Sequence, residues 1–295
     1  MKIKLLIIGL LALAGFVPAA KADTYFPYPI VPDSIKTLNG RCNYLADHFW
    51  DFCDLQKAFS SRAKMAQEYK TYLSIISNAD ADRAISALSA FMKKLDKQPK
   101  DQLYLAGVAE GYMYADTAEQ WVDQLYLPVT EAVVANKRVD KASKARFAQQ
   151  AEILRNSMAG QKVGAVPYVT REGEKRTLLS DSASVVVVFF NDPDCSDCNM
   201  ARIRLHADIS TSELIAEGKL KVVAISVTDP DEEWQKFAAG MPEEWTVGAS
   251  PDADLMIDLR FGTPDFYVIG RKHDIRFKHL NIDQVLDVAR QLKKR

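Results

Sequence analysis

The chain has 295 residues, of which 48% are hydrophobic and 26% are charged, and its formal net charge is −1. This length leaves room for two ordinary domains, and this composition excludes a disordered or low-complexity chain. The near-neutral charge gives no electrostatic reason to bind nucleic acid, so no nucleic-acid partner is expected.

Residues 1–22 have the pattern of a cleaved signal peptide. A short basic start precedes an apolar run over residues 5–17, and the small-x-small sequence Ala20-Lys21-Ala22 precedes Asp23. The run is too short to span a bilayer comfortably, and no cysteine follows it to carry a lipid. Cleavage would remove three lysines and no acid, which changes the net charge from −1 to −4. We therefore expect a periplasmic or otherwise extracytoplasmic protein with no stable membrane span after cleavage, a retained N-terminal anchor being the alternative.

Residues 23–160 are predicted to form an all-helical domain. An arm rich in aromatic residues and proline, residues 25–32, comes first. Apolar residues then recur at spacings of three and four, in segments 39–52, 65–76, 85–95, 103–118, 121–135 and 147–158. Such stripes usually face a core, and Pro128 should kink or split the helix that contains it.

Residues 161–295 are predicted to alternate strands and helices. Residues 166–179 indicate a hairpin that turns at Gly173, and the apolar runs 184–190 and 220–227 indicate buried parallel strands. A helix is predicted after each run, and the chain closes with a hairpin over residues 266–277 and an amphipathic helix over residues 282–292. An all-helical domain followed by a three-layer α/β domain is therefore expected.

The sequence Cys195-Ser196-Asp197-Cys198 follows the first apolar strand and begins a helix. Two sulfurs at this spacing can close a small disulfide ring, and the unpaired N–H groups of a helix start stabilise a thiolate. In an oxidising compartment redox activity is favoured over zinc binding, which would need two further ligands. The four histidines form no recognisable second half of such a site, so no metal and no cofactor are expected.

Cys42 and Cys53 allow two interpretations. One straight helix between them would separate them by about 16.5 Å, which is beyond the reach of a disulfide. A bond would require the helix to end near Trp50 and the chain to double back. Unpaired thiols are unusual after export, so a disulfide and a pair of buried apolar cysteines both stay open.

Four carboxylates near the first predicted helix could suggest a hydrolytic site: Asp33, Asp47, Asp51 and Asp54. Charged residues beside a helix usually belong to its solvated face, so catalysis is not expected there. No nucleophile can be placed beside His48, which is interpreted as a partly buried helix residue.

The C-terminal half, roughly residues 160–295, resembles the thioredoxin-like fold of extracytoplasmic thiol–disulfide oxidoreductases. The likeness rests on the strand that ends at the cysteine pair, on the strand 220–227, and on Phe261-Gly262-Thr263-Pro264 before a third strand. The N-terminal half resembles the helical, functionally undefined domain that precedes such domains in exported Bacteroidetes proteins, through Pro29 and residues 41–45 and 48–51. The resemblance implies that the α/β domain has a thioredoxin-like fold.

The resemblance also implies chemistry. Cys195 would attack, Cys198 would resolve, and Thr263 and Pro264, joined by a cis peptide bond, would bind substrate. The implied partners are protein thiols or disulfides and an unidentified redox partner.

Three positions depart from the family pattern. Asp194 stands where tryptophan is usual, and Phe189 replaces a polar residue that would help to move protons. Asp192 stands where a peroxiredoxin-type peroxidase needs a hydroxyl, which argues against that activity.

Asp192, Asp194 and Asp197 are expected to tune the sulfurs. A unit charge about 6 Å away costs a thiolate roughly 0.7 kcal/mol in water and about 2.8 kcal/mol at an effective dielectric near 20. A helix terminus contributes only about 0.3–1 kcal/mol in favour of the anion. We therefore expect Cys195 to have a thiol pKa near that of free cysteine and the pair to act as a reductant or weak exchanger. The alternative is a non-catalytic periplasmic binding protein with a structural disulfide.

Overall fold

The computed structural model describes residues 24–294. The predicted signal peptide therefore lies outside the described residues. Among the residues that are described, none of the helices has the length and hydropathy needed to cross a bilayer.

The N-terminal part of the described chain is helical, as predicted. Its helices α1 to α7 are Leu38–His48, Leu55–Ala58, Arg62–Ile76, Ala81–Lys94, Pro99–Met113, Asp123–Ala135 and Lys141–Ser157. Their apolar stripes meet in one core that is rich in aromatic side chains. Trp50 stacks on Phe91 with ring centroids 4.4 Å apart, and the fully buried Phe49 and Tyr72 pack against Trp50. These stripes therefore form a core, as expected from their periodicity.

Pro128 does not split its helix. It lies inside α6, which continues from Asp123 to Ala135. Proline lacks the N–H that would pair with the carbonyl of Gln124, but Gln124 is exposed, so water can satisfy that carbonyl. The Pro128 ring itself is buried in the helical core. Of the two predicted outcomes, a kink or a split, the split is therefore wrong.

The C-terminal part is a mixed sheet with helices. Its strands β1 to β7 are Pro167–Thr170, Lys175–Thr177, Val185–Asn191, Leu220–Ser226, Thr246–Ala249, Asp265–Gly270 and Ile275–Leu280. Its helices α8 to α11 are Ser196–Ala207, Ile209–Ala216, Glu232–Ala239 and Ile282–Lys293. In the described residues the sheet order is β2-β1-β5-β4-β3-β6-β7. The expected helical part followed by an α/β part is confirmed.

The central position of β3 explains its apolar sequence. It pairs in parallel with β4 and antiparallel with β6, and every residue of it is buried. Helices α8 to α11 contribute to the apolar core on one face of the sheet. The other face is covered by residues around Val163 and Val166 and by Ala253 and Ile257. The predicted boundary at residues 160/161 falls in the segment between α7 and β1.

The short strand β5 was not predicted. It has four residues and includes Gly248, and glycine weakens the strand signal in a sequence. A Cβ atom on Gly248 would lie 2.4 Å from a ring carbon of Tyr168 on β1. The glycine is therefore what allows β1 to pack against β5.

Candidate active site

Cys195 and Cys198 form a disulfide at the start of α8, with Cα atoms 5.2 Å apart. Cys195 is the N-cap residue of this helix, and its sulfur accepts a hydrogen bond from the backbone N–H of Cys198 at 3.0 Å. Cys195 is partly exposed, whereas Cys198 is buried. The first sulfur is therefore the one that another protein can reach.

The turn before the helix is built by Asp192. Its carboxylate accepts a hydrogen bond from the N–H of Asp194 at 2.9 Å, and its carbonyl accepts one from the N–H of Cys195 at 3.2 Å. Asp192 is half-buried, whereas Asp194 and Asp197 are exposed. Exposed charges act through water, so their effect on a Cys195 thiolate belongs at the weaker, water-like end of the Coulomb range.

The cysteine pair packs against an apolar core. Phe189 on β3 stacks on Phe266 on β6 with ring centroids 4.6 Å apart, and both rings belong to the same apolar core as Cys198. The position that the resemblance associates with a proton-carrying residue is therefore filled by a packed aromatic ring. Burial in such surroundings disfavours the charged form of a thiol.

Two polar residues join the ends of the central strands below the turn. The Ser226 hydroxyl on β4 donates to the Asn191 side-chain oxygen on β3 at 2.9 Å, and both residues are buried. The Asn191 amide donates to the carbonyl of Phe189 at 3.2 Å. Sequence reasoning missed this pair, although a polar residue ends each of two aligned apolar strands.

Thr263 lies beside the disulfide. Its carbonyl oxygen is 3.8 Å from the Cys195 sulfur, and its peptide bond to Pro264 is cis, as the resemblance implied. The structure thus brings Cys195, Cys198 and Thr263 together from two separate parts of the sequence. Their assignment to catalysis and substrate binding stays a prediction.

A group of largely buried charged residues lies on either side of Pro264 in the sequence and connects the two halves of the chain. This interface cluster consists of Asp123, Asp258, Arg260, Asp265, Lys278 and His279. Arg260 donates to Asp258 and to Asp123 on α6, the latter at 2.7 Å, and Lys278 lies 2.6 Å from a carboxylate oxygen of each. His279 bridges Asp258 and Asp265, with nitrogen–oxygen distances of 3.1 and 2.8 Å.

The ionisation of the interface cluster follows from its pairing. Burial alone would raise the pKa of Asp258, but hydrogen bonds from His279 and Arg260 and the charge of Lys278 hold it well below its usual range. Burial would lower the pKa of His279, but hydrogen bonds to Asp258 and Asp265 outweigh this and raise it. Burial raises the pKa of Asp265. Asp258 is therefore an anion at neutral pH, at the centre of the cluster.

The other candidate groups are separate from the disulfide. Cys42 and Cys53 are free thiols, the first buried and the second half-buried. The remaining carboxylates are on the surface: Asp47 pairs with Arg83, Asp51 with His48, Asp54 caps α2, and Asp33 is exposed. These carboxylates form no common site.

A family model matches the N-terminal half of the chain. Residues 17–157 match DUF5106, a domain of unknown function. No curated protein sequence matches the chain at a significant level.

Solved structures from Bacteroides are similar to it. A thioredoxin-like protein from Bacteroides caccae is 21% identical over 90% of this chain and 98% of that one, with a TM-score of 0.69. A conserved protein of unknown function from Bacteroides fragilis is 30% identical over 45% of this chain and 98% of that one, with a TM-score of 0.42. The thioredoxin domain of a thiol-disulfide oxidoreductase from Bacteroides vulgatus is 20% identical over 45% of this chain and 96% of that one, with a TM-score of 0.38.

The likeness to the Bacteroides caccae protein extends over both halves of the chain and establishes the fold. The resemblance noted from the cysteine pair and the Thr-Pro sequence is confirmed at this level. The chain therefore has a thioredoxin-like fold, and its residues 17–157 are similar to the DUF5106 domain.

Proposed function

We propose that the chain is an exported thiol–disulfide oxidoreductase that acts on protein disulfides as a reductant or weak exchanger. One observation carries this proposal: the two sulfurs of a disulfide at a helix start differ in accessibility. Cys195 is partly exposed, and Cys198 is buried behind it. This asymmetry supports attack by the first sulfur and resolution by the second.

The reductive reaction balances as two successive exchanges. The Cys195 thiolate attacks one sulfur of a substrate disulfide, a bond forms between these sulfurs, and the other substrate sulfur leaves as a thiolate. The Cys198 thiol then gives its proton to solvent or to the released substrate thiolate and attacks the Cys195 sulfur, which restores the Cys195–Cys198 disulfide and releases the second substrate thiolate. Two electrons pass to the substrate, and a dithiol protein must return them.

The surroundings of the sulfurs favour a modest driving force. The N–H of Cys198 stabilises a Cys195 thiolate, but the aspartates of the same turn oppose it. A strongly oxidising pair requires a much more stable thiolate. The local charges therefore support reduction or weak exchange rather than strong oxidation.

Insulin reduction with dithiothreitol as electron source tests the activity. Wild type should accelerate insulin precipitation, and Cys195→Ser should abolish the acceleration. Cys198→Ser that has been reduced and then freed of dithiothreitol should instead accumulate a mixed disulfide between Cys195 and insulin, detectable by mass spectrometry. If wild type and Cys195→Ser are equally inactive while the wild-type disulfide resists reduction, the non-catalytic binding protein is the correct alternative.

Export is tested separately. The full chain, expressed in a Gram-negative host, should appear in the periplasmic fraction with an N-terminus at Asp23. An intact chain that begins at Met1 and stays with the cytoplasm would contradict export without affecting the proposed chemistry.

A further inference from the structure

A cavity of about 610 Å³ lies between the helical and thioredoxin-like parts, beside the loop whose Thr263 contacts the disulfide. Pro264 contributes to its wall, and the carbonyl of the preceding residue, Thr263, is 3.8 Å from the Cys195 sulfur. One residue of extended polypeptide spans about 3.3–3.6 Å. The cavity wall therefore begins at the residue that follows Thr263, within reach of residues adjacent to a substrate cysteine bonded to Cys195.

The charges of the cavity wall are already paired with one another. Arg260 and Lys278 both contact Asp123 and Asp258, and His279 contacts Asp258 and Asp265. A charged ligand would have to separate buried pairs, which is strongly unfavourable. The wall thus selects against a charged occupant.

The exposed residues of the wall are the aromatic Trp121 and Phe261 and the polar Asn281. Trp121, from the segment before α6, is 54% exposed, and Phe261, from the loop before Pro264, is 45% exposed. Their rings meet edge to face with centroids 5.0 Å apart. The indole N–H of Trp121 donates to the carbonyl of Ala115 at 2.9 Å, so the polar atom is used and the ring surface is left open. Leu280 adds a further apolar surface.

We propose that this cavity holds an apolar, preferably aromatic, side chain of the substrate polypeptide. This side chain would lie one or two residues from the substrate cysteine that becomes bonded to Cys195. The inference rests on the proposed oxidoreductase function and names the substrate class. It also gives the helical part a function, since Trp121 forms one wall of the cavity.

Two disulfide-bridged peptides that differ at one position test this inference. One carries phenylalanine two residues after the reacting cysteine, and the other carries serine. The readout is the ratio of their kcat/KM values with protein that has been reduced by dithiothreitol. Edge-to-face and stacked aromatic contacts correspond to a ratio of roughly two- to tenfold in favour of phenylalanine.

Trp121→Ala should reduce this ratio to about one, whereas Trp121→Phe should retain most of it because an aromatic ring remains. Phe52→Ala is the matched control, since Phe52 is an exposed aromatic residue that does not line this cavity. A wild-type ratio near one, or a ratio that survives Trp121→Ala, overturns the inference.

Reduction of hydroxyethyl disulfide distinguishes a failure of the cavity assignment from a failure of the proposed oxidoreductase function. If wild type reduces this small disulfide but does not discriminate between the peptides, the cavity assignment fails and the oxidoreductase function stands. If wild type reduces no disulfide at all, the proposed function fails and the cavity assignment fails with it.

Discussion

Replacing Arg260 by methionine should weaken the attachment between the two parts of the chain. The Arg260 side chain is 8% exposed and donates to Asp258, to Asp123 at 2.7 Å and to the carbonyl of Tyr114 at 2.8 Å. Its guanidinium carbon also lies 4.1 Å from the centroid of the Tyr114 ring. Methionine retains part of the volume but removes the charge and every one of these donors.

The expected loss of stability depends on the charges that remain after the Arg260→Met substitution. Removing one partner of a buried ion pair costs about 3–5 kcal/mol, because the other charge is left buried and uncompensated. Here Lys278 stays 2.6 Å from both Asp123 and Asp258, so the lower end applies. A loss of about 3 kcal/mol in the free energy of unfolding is expected.

Arg155→Met provides the matched control. Arg155 pairs with Glu131 at 2.7 Å, but the two side chains are 54% and 43% exposed. Exposed pairs of this kind contribute about 0–1 kcal/mol. The same chemical change at the surface should therefore have at most a third of the effect.

Urea unfolding, followed in parallel by tryptophan fluorescence and far-UV circular dichroism, measures both variants. Two probes are needed because a chain with two domains need not unfold in one transition. Adding Asp123→Asn to Arg260→Met should recover part of the loss, since it removes one of the uncompensated charges. Equal stabilities of Arg260→Met and Arg155→Met would refute the reasoning, as would the absence of any recovery in the double variant.

Three further results are expected. Replacing Asp194 and Asp197 by asparagine should lower the pKa of the Cys195 thiol by roughly half a unit per charge, and an unchanged thiolate-absorbance titration would contradict this. In the variant His279→Asn the imidazole, and with it the change of charge with pH, is removed. Asparagine suits the left-handed backbone at this position, where φ is 55°. The pKa of His279 is raised, because the effect of its carboxylate partners outweighs the opposite effect of burial. Wild-type stability should thus be greatest below about pH 6.5 and fall as the pH rises through the raised pKa, and urea unfolding of the variant should lack this fall. Burial and nearby carboxylates raise the pKa of Cys53 to about 11. Iodoacetamide at pH 8 should therefore modify it roughly a hundredfold more slowly than a free thiol, and mass mapping that shows ordinary reactivity would contradict this.

The redox site could be predicted because its signals are local. The buried strand that ends at Asn191 is a continuous apolar run, and the cysteines follow it within a few residues. The Thr263–Pro264 sequence lies elsewhere in the chain but directly precedes an apolar strand. Each of these signals depends on neighbours in sequence, which is the information that periodicity and turn residues carry.

The interface cluster could not be predicted in the same way. Arg260 and Asp123 are 137 residues apart, and each alone has the appearance of a solvated surface charge. Only the packing of the helical part against the loop before β6 makes them partners. Sequence reasoning also missed the short strand β5 and the continuity of the helix through Pro128. In both cases tertiary contacts override the local tendencies of glycine and proline.

The interface cluster also has a consequence for the evolution of such chains. Asp123 belongs to the helical part, whereas Asp258, Arg260 and Lys278 belong to the thioredoxin-like part. A substitution at one of these positions leaves a buried charge in the other part, so the positions are expected to covary among related sequences. A relative that lost the helical part would have no counterpart for Asp123 and would be free to replace Arg260 by a neutral residue. The helical and thioredoxin-like parts are therefore expected to change together at these positions.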